Sequence, residues 1–252
     1  IAYILNHSDA KVLVVDRQLH GEVKKALNTL NKKIIIIDIV DKFADQSKCE
    51  KIGELEYESF LNTGDENFDW KMPEDEWQAI SLSYTSGTTG NPKGVMLSNW
   101  NTLSNVLCVQ GVFELYPGDK NAAFLPWAHS FGSTFDLHWM IRMGVHINLI
   151  SDLTKIADEC IEIKPAALLA VPRVWNKFYD RVNSQFESAK GLKKFFVGKA
   201  QKAAAKRIAN AGVECDAVAP SGFWDKKWDK LVWSKVRARF GGNIRFCMSG
   251  AA

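Results

Sequence analysis

Short apolar runs and amphipathic stretches alternate along most of the chain. Lys11–Val15 and Lys33–Val40 are continuous runs of strand length rich in β-branched residues, the pattern of strands buried in a parallel sheet. Between them, Leu19–Leu30 places its apolar residues at helical spacing. Gln46–Asp75 is acidic and irregular, with a short helix predicted over Glu54–Leu61. Strands are predicted over Trp77–Thr85 and Gly94–Leu97, then a helix over Trp100–Val112 with Ser98 or Asn99 as its N-cap. Ala122–Leu125, Val145–Ile150 and Ala167–Val171 read as strands, separated by helices over Ser130–Met143 and Leu153–Ile163. This rhythm predicts an α/β fold of open, mostly parallel sheets flanked by helices. From Pro172 to Gly241 the pattern is helical, rich in Lys and Ala up to Ala211, interrupted near Gly212–Gly222 and resumed over Trp224–Phe240. Asn243–Met248 returns to strand.

Composition narrows the class. Of 252 residues, 46% are hydrophobic and 24% charged, which is globular and excludes disorder and collagen-like repeats. The longest apolar runs, Ile34–Ile37 and Ala166–Val171, fall far short of the roughly 18 residues of a spanning helix. Ile1–Asp16 lacks the basic start and cleavage site of a secretory signal. Cys49, Cys108, Cys160, Cys215 and Cys247 are scattered, with no C-x-x-C pair, which argues against a disulfide framework or zinc site and for a reducing compartment. A net charge of +3 is too small to imply nucleic acid. The chain opens without Met in a helical pattern and stops just after a strand-like run, so it is expected to be a piece of a longer protein.

The chemistry concentrates in Tyr84-Thr85-Ser86-Gly87-Thr88-Thr89-Gly90-Asn91-Pro92-Lys93-Gly94, flanked by strand-like runs. Gly87, Gly90 and Gly94 let backbone amides turn toward an anion without Cβ obstruction. Thr85, Ser86, Thr88 and Thr89 add hydroxyl donors, and Lys93 adds a point charge for phosphate oxygens. The bland alternative is a glycine-rich hairpin loop with solvated hydroxyls. The combination of glycines, hydroxyls and a Pro-Lys-Gly close points instead to a polyphosphate cradle. It is not the Walker A loop G-x-x-x-x-G-K-[ST], because its glycine spacing differs and a strand, not a helix, follows.

Thr85–Gly94 resembles the signature loop of the adenylate-forming superfamily. Leu125-Pro126-Trp127-Ala128-His129 resembles the superfamily's next motif, and Met248-Ser249-Gly250-Ala251-Ala252 the start of the loop bordering the adenine and acyl pockets. Ala170-Val171-Pro172-Arg173-Val174-Trp175-Asn176-Lys177, with the long helical stretch after it, is similar to long-chain acyl-CoA synthetases. The resemblance implies a partial AMP-binding domain over residues 1–252, part of the large N-terminal domain and truncated at both ends. It implies that a fatty carboxylate attacks the α-phosphate of Mg-ATP to give acyl-AMP and pyrophosphate, after which the thiol of coenzyme A displaces AMP. Thr85, Ser86, Gly87, Thr88, Thr89, Gly90, Lys93, Ser249, Gly250, Ala251 and Ala252 would contact nucleotide. His129 would lie near the acyl carboxylate and the thiol channel. No residue here is assigned to Mg2+, because the family's Glu ligand is expected beyond Ala252, as are its ribose-binding Asp, hinge Arg and the small C-terminal domain with its catalytic Lys. The fragment by itself is therefore expected to be inactive. Another acid (an aryl acid, or one loaded onto a carrier protein) and a non-catalytic nucleotide-binding fragment are the competing readings. His138 and His146 match no motif and are read as structural.

Lys190, Lys193, Lys194, Lys199, Lys202, Lys206 and Arg207 lie near Phe195, Phe196, Trp224, Trp228 and Trp233 in sequence. Interleaved cations and aromatics suit an anionic membrane surface, although most such runs are a helix's solvated face. The expected setting is cytoplasmic, with peripheral contact to a membrane face as a further candidate and no nucleic-acid partner.

Overall fold

The computed structural model describes residues 1–87, 90–150, 152–211 and 219–250, which form two compact units, Ile1–Asn101 and Thr102–Ala252. In the first unit, helix α1 (Ala2–His7) leads into strand β1 (Val12–Asp16), helix α2 (His20–Leu27), strand β2 (Ile35–Ile39), strand β3 (Leu55–Glu56) and helix α3 (Tyr57–Leu61). The strands form a parallel sheet in the order β1-β2-β3, with Val12 opposite Ile35 and Ile37 opposite Leu55. Burial is uneven rather than complete: Val15 and Ile37 are buried on opposite faces, but Val12, Val14 and Ile35, which share the face of Ile37, stand exposed. Asp38 is wholly buried in β2. It accepts the amides of Ile52 (3.0 Å) and Gly53 (2.9 Å) and Arg17 Nε (3.0 Å), tying the Ile52–Gly53 turn to the sheet.

Strands β4 (Ala79–Tyr84) and β5 (Gly94–Ser98) pair antiparallel, departing from the parallel rule of the other sheets. Helix α4 (Asn99–Gln110) follows at once. Ser98 caps it: its Oγ accepts the Asn101 amide (3.1 Å), and Asn101 Oδ1 accepts the Ser98 amide (3.0 Å).

In the second unit, strands β6 (Lys120–Ala123), β7 (His146–Leu149), β8 (Ala167–Ala170) and β9 (Phe246–Ser249) form a parallel sheet ordered β7-β6-β8-β9. Both faces of β8 are covered. Ala167 and Leu169 join Trp139 and Met140 on one side, while Leu168 joins Ile156 and Cys160 on the other. Helices α5 (Met140–Met143), α6 (Ile156–Ile163) and α7 (Pro172–Glu187, with Pro172 in its first turn) contribute to the cover, whereas α8 (Gly191–Ala211) and α9 (Phe223–Trp228) share a separate cluster, and α10 (Ser234–Ala238) follows them. Arg245 ion-pairs with Asp119, fastening the start of β9 beside the start of β6.

The helix expected over Ser130–Met143 is different in kind. Gly132–Trp139 forms wider π turns, and Met140–Met143 is α-helical before Gly144, at φ +67°, ends it. The wide turns cover the stretch that starts with Gly132 against Pro126 and contains the buried Asp136. The long helical region is also corrected in its orientation. Phe196, Trp228 and Trp233 turn inward around Val197, Ala200 and Val232, whereas Phe195 and Trp224 face out. Of the interruption expected near Gly212–Gly222, residues 212–218 lie outside the described residues.

Candidate active site

In the first unit the glycine-rich segment is the tip of the β4–β5 hairpin. Tyr84 pairs with Gly94, and the Thr85 amide donates to Lys93 O (3.0 Å). The Lys93 amide donates to Thr85 Oγ1 (3.0 Å), so the Thr85 hydroxyl closes the loop while its own hydrogen remains available. Gly87 turns the chain at φ +69°, and its carbonyl accepts the Gly90 amide (3.2 Å). A Cβ on Gly87 would lie 2.8 Å from Gly90 O, so the turn closes only with glycine there. Tyr84 Oη and His7 Nδ1 lie 2.8 Å apart, tying the end of β4 to α1. Thr85, Ser86, Gly90 and Lys93 are exposed, and no acidic residue interrupts Thr85–Gly94. Lys93 has no ion pair among the described residues. This donor set of hydroxyls, amides and one ammonium fits an anion. Thr88 and Thr89 lie outside the described residues.

In the second unit the chain leaves β6 toward β7 and leaves β8 toward β9, although β6 and β8 are neighbours. Diverging connections open a crevice at the carboxyl ends of such a strand pair, where α/β sheets take their ligands. A cavity of about 140 Å3 lies there, lined by Leu125, Pro126, His129, Phe131, Gly132 and Val171. Beside it, an open apolar groove of about 390 Å3 is bordered by Phe124, Trp127, Leu149 and Ile150, among others. The His129 amide donates to Pro126 O (3.0 Å), and its Nδ1 accepts the Phe131 amide (3.2 Å). A backbone N–H can only donate, so the neutral ring carries its hydrogen on Nε2 and offers it outward as a donor.

The end of β9 meets the same crevice. A Cβ on Gly250 would lie 2.7 Å from the Phe131 ring, so Gly250 and the His129 segment pack directly together. Trp175 Nε1 donates to Ala170 O and Met248 O (3.2 Å each), clamping the ends of β8 and β9 to the start of α7. Ser249 is exposed at the end of β9; Ala251 and Ala252 lie outside the described residues. His138 and His146 are exposed and line neither cavity.

Sequence reasoning missed the carboxyl buried against the end of β6. Asp136 is wholly buried and accepts the Leu125 amide (3.4 Å) and Asn121 Nδ2 (3.3 Å), and the Phe124 amide faces the same carboxyl. Burial pushes this carboxyl up to about 7, against the hydrogen bonds that pull it down. A carboxylate inside the apolar run Phe135–Met140 was the signal available in the sequence.

The AMP-binding enzyme family model matches residues 1–252. Rat long-chain-fatty-acid–CoA ligase 5 is 31% identical over 264 residues, covering all of this chain and 37% of the ligase. Acetate–CoA ligase CCL3 of Humulus lupulus is 40% identical over 159 residues, covering 59% of this chain and 28% of that enzyme. Among solved structures, the adenylation domain of a Mycobacterium chelonae carboxylate reductase covers the whole chain and 37% of its own, at 17% identity and a TM-score of 0.66, a likeness of fold. The chain thus spans about a third of the length of these proteins.

Proposed function

The chain belongs to the AMP-binding enzyme family, and from that premise we propose that its protein activates a long-chain fatty acid with ATP and passes the acyl group to coenzyme A. The whole-chain likeness to a long-chain fatty acid–CoA ligase carries this reading. The hairpin loop supports it physically. An attacking carboxylate and a triphosphate are both anions, so the first step needs fixed positive charge and donors on the phosphates. In this proposal Lys93, with the hydroxyls of Thr85, Ser86, Thr88 and Thr89 and the backbone at Gly87 and Gly90, holds the outer phosphates. The carboxylate oxygen then bonds to the α-phosphorus as the bond to pyrophosphate breaks. In the second step the thiol sulfur bonds to the acyl carbon, AMP leaves and a proton is released. His129 would present Nε2–H to the acyl oxygen, with Ser249, Gly250, Ala251 and Ala252 bordering nucleotide and acyl head. Magnesium would accompany the triphosphate as a charge-neutralising ion held by a Glu beyond Ala252. Among the described residues no group of three or more His, Cys, Asp or Glu side chains is placed to hold a metal ion.

The test is acid-dependent ATP–pyrophosphate exchange by the protein at the full length of its gene, offered acetate, octanoate, palmitate and benzoate. Exchange with palmitate, reduced about 100-fold or more by Lys93→Ala, is the expected result. Exchange with acetate alone would favour a short acid, which the likeness to the hop enzyme supports. No exchange with any acid would leave only nucleotide binding.

Peripheral contact with an anionic membrane belongs to the same proposal. Leu192, Phe195, Lys199, Lys202 and Lys206 share one exposed stripe of α8 by helical spacing, and α8 carries no acidic residue. No helix among the described residues is long and apolar enough to cross a membrane. Cosedimentation with phosphatidylglycerol vesicles that weakens as salt rises is expected, and no cosedimentation would remove this part of the proposal. Cys49, Cys108, Cys160 and Cys247 are free thiols, in keeping with a reducing, cytoplasmic setting.

A further inference from the structure

We propose that Asp136 is a positioning residue for the segment that carries His129, acting through the backbone amides of Phe124 and Leu125 and the side chain of Asn121. Strand β6 ends at Ala123, so the next two amides lie past its regular ladder. Asp136 supplies acceptors there, taking the Leu125 amide at 3.4 Å with the Phe124 amide facing it. At the very next residue, Pro126 O accepts the His129 amide, so the backbone fixed by Asp136 is the one on which His129 is folded. The π segment can reach this position because its first residue is Gly132, whose missing Cβ would stand 2.4 Å from Pro126 O.

Among the described residues, no cation neutralises the carboxyl. The groups facing it are Asn121 from β6 and the Phe124 and Leu125 amides, and no charged side chain contributes to its shift. On its own helix, His138 is exposed, as is His129 on the segment it supports. Burial holds the carboxyl near 7, so charged and neutral forms coexist around neutrality. The side chain of Asn121 can serve both forms. It now donates Nδ2–H to the carboxyl while its Oδ1 has no partner, and turned over it would accept from a neutral carboxyl O–H. The charged form grips the amides through charge-assisted bonds and the neutral form through weaker ones, so the state of Asp136 is transmitted to His129.

The effect on catalysis rests on the adenylating function proposed above, whereas the effect on the backbone does not. Wild type, Asp136→Asn and Asp136→Ala would be compared in the full-length protein by amide hydrogen exchange and by the pH profile of pyrophosphate exchange. In Asp136→Ala the protection of the Phe124 and Leu125 amides should fall about 10-fold or more relative to β8. Asp136→Asn should retain most of that protection, since its Oδ1 still accepts. In the kinetics, Asp136→Ala should lower kcat with little change in KM for ATP, and the wild-type profile should show an inflection near pH 7 that Asp136→Asn lacks. Unchanged protection in Asp136→Ala would overturn the proposal. So would a wild-type profile identical to that of Asp136→Asn. If no acid supports exchange, the adenylating function fails, and the protection data still decide whether Asp136 positions the segment.

Discussion

Gly132→Ala should destabilise the protein by on the order of 3 kcal/mol and close the crevice beside His129. The Cβ it introduces would stand 2.4 Å from Pro126 O, 3.0 Å from Pro126 C and 3.1 Å from Leu125 Cβ. The first two are backbone atoms, so no side chain can rotate out of the way. Relief requires moving either the start of the π segment or the Leu125–Pro126 turn. The turn is held by the His129 amide on Pro126 O and by the Leu125 amide on Asp136, so a shift strains both, the second at a wholly buried carboxyl. Because Leu125, Pro126 and Gly132 all line the cavity, its volume changes with any such shift. Gly21→Ala in α2 is the control: no atom lies within 4 Å of its added Cβ, and removing glycine from a helix should stabilise by about 0.5–1 kcal/mol. Urea unfolding midpoints measure both. A Gly132→Ala midpoint at or above wild type would show that the close backbone approach does not exist in solution.

The parts of the molecule legible in the sequence are those whose physics is local. The glycine-rich loop is recognisable because turning geometry, hydroxyl donors and charge must all sit within ten residues, and the flanking strands pair as a hairpin around it. The alternation from β6 to β8 is equally readable, since a strand such as Ala167–Ala170, buried on both faces, has to be apolar throughout. Properties set by distant neighbours were not readable. Val12, Val14 and Ile35 have the composition of buried strand residues but stand exposed, although Ile37 on the same face is buried. Phe196, Trp228 and Trp233 read as surface aromatics because lysines surround them in sequence, yet helical geometry turns them toward Val197 and Ala200. The π turns over Gly132–Trp139 leave no trace in an apolar pattern that suits an α-helix equally well. His129 was found through the motif around it, whereas Asp136 and Asn121 were not, because their importance comes from a contact across fifteen residues that burial alone makes expensive.

The same buried contact gives the molecule an unusual dependence on pH. Most shifted carboxyls here, including Asp9 beside Lys11 and Lys32 and Asp119 beside Arg245, are held below the ordinary range. Their stabilisation is lost as pH falls. Asp136 runs the other way, from an ordinary 3.8 to about 7 in the folded chain. Between those values the unfolded chain has released the proton and the folded chain keeps it, so unfolding releases a proton and stability falls as pH rises. The contribution is fully present below pH 3.8 and gone above about 7. Over the whole interval it amounts to about 4 kcal/mol, and between pH 5 and 7 to about 2–3 kcal/mol. Acid loss from the other carboxylates hides this slope in wild type, so the informative quantity is the difference from Asp136→Asn, which has the same shape and no titration. Asp136→Asn should equal or trail wild type at pH 5 and gain on it by about 2–3 kcal/mol by pH 7 to 8, read from urea unfolding at each pH. A constant difference across that range would mean that the carboxyl titrates as an exposed one does, and that water reaches the space between β6 and the π segment.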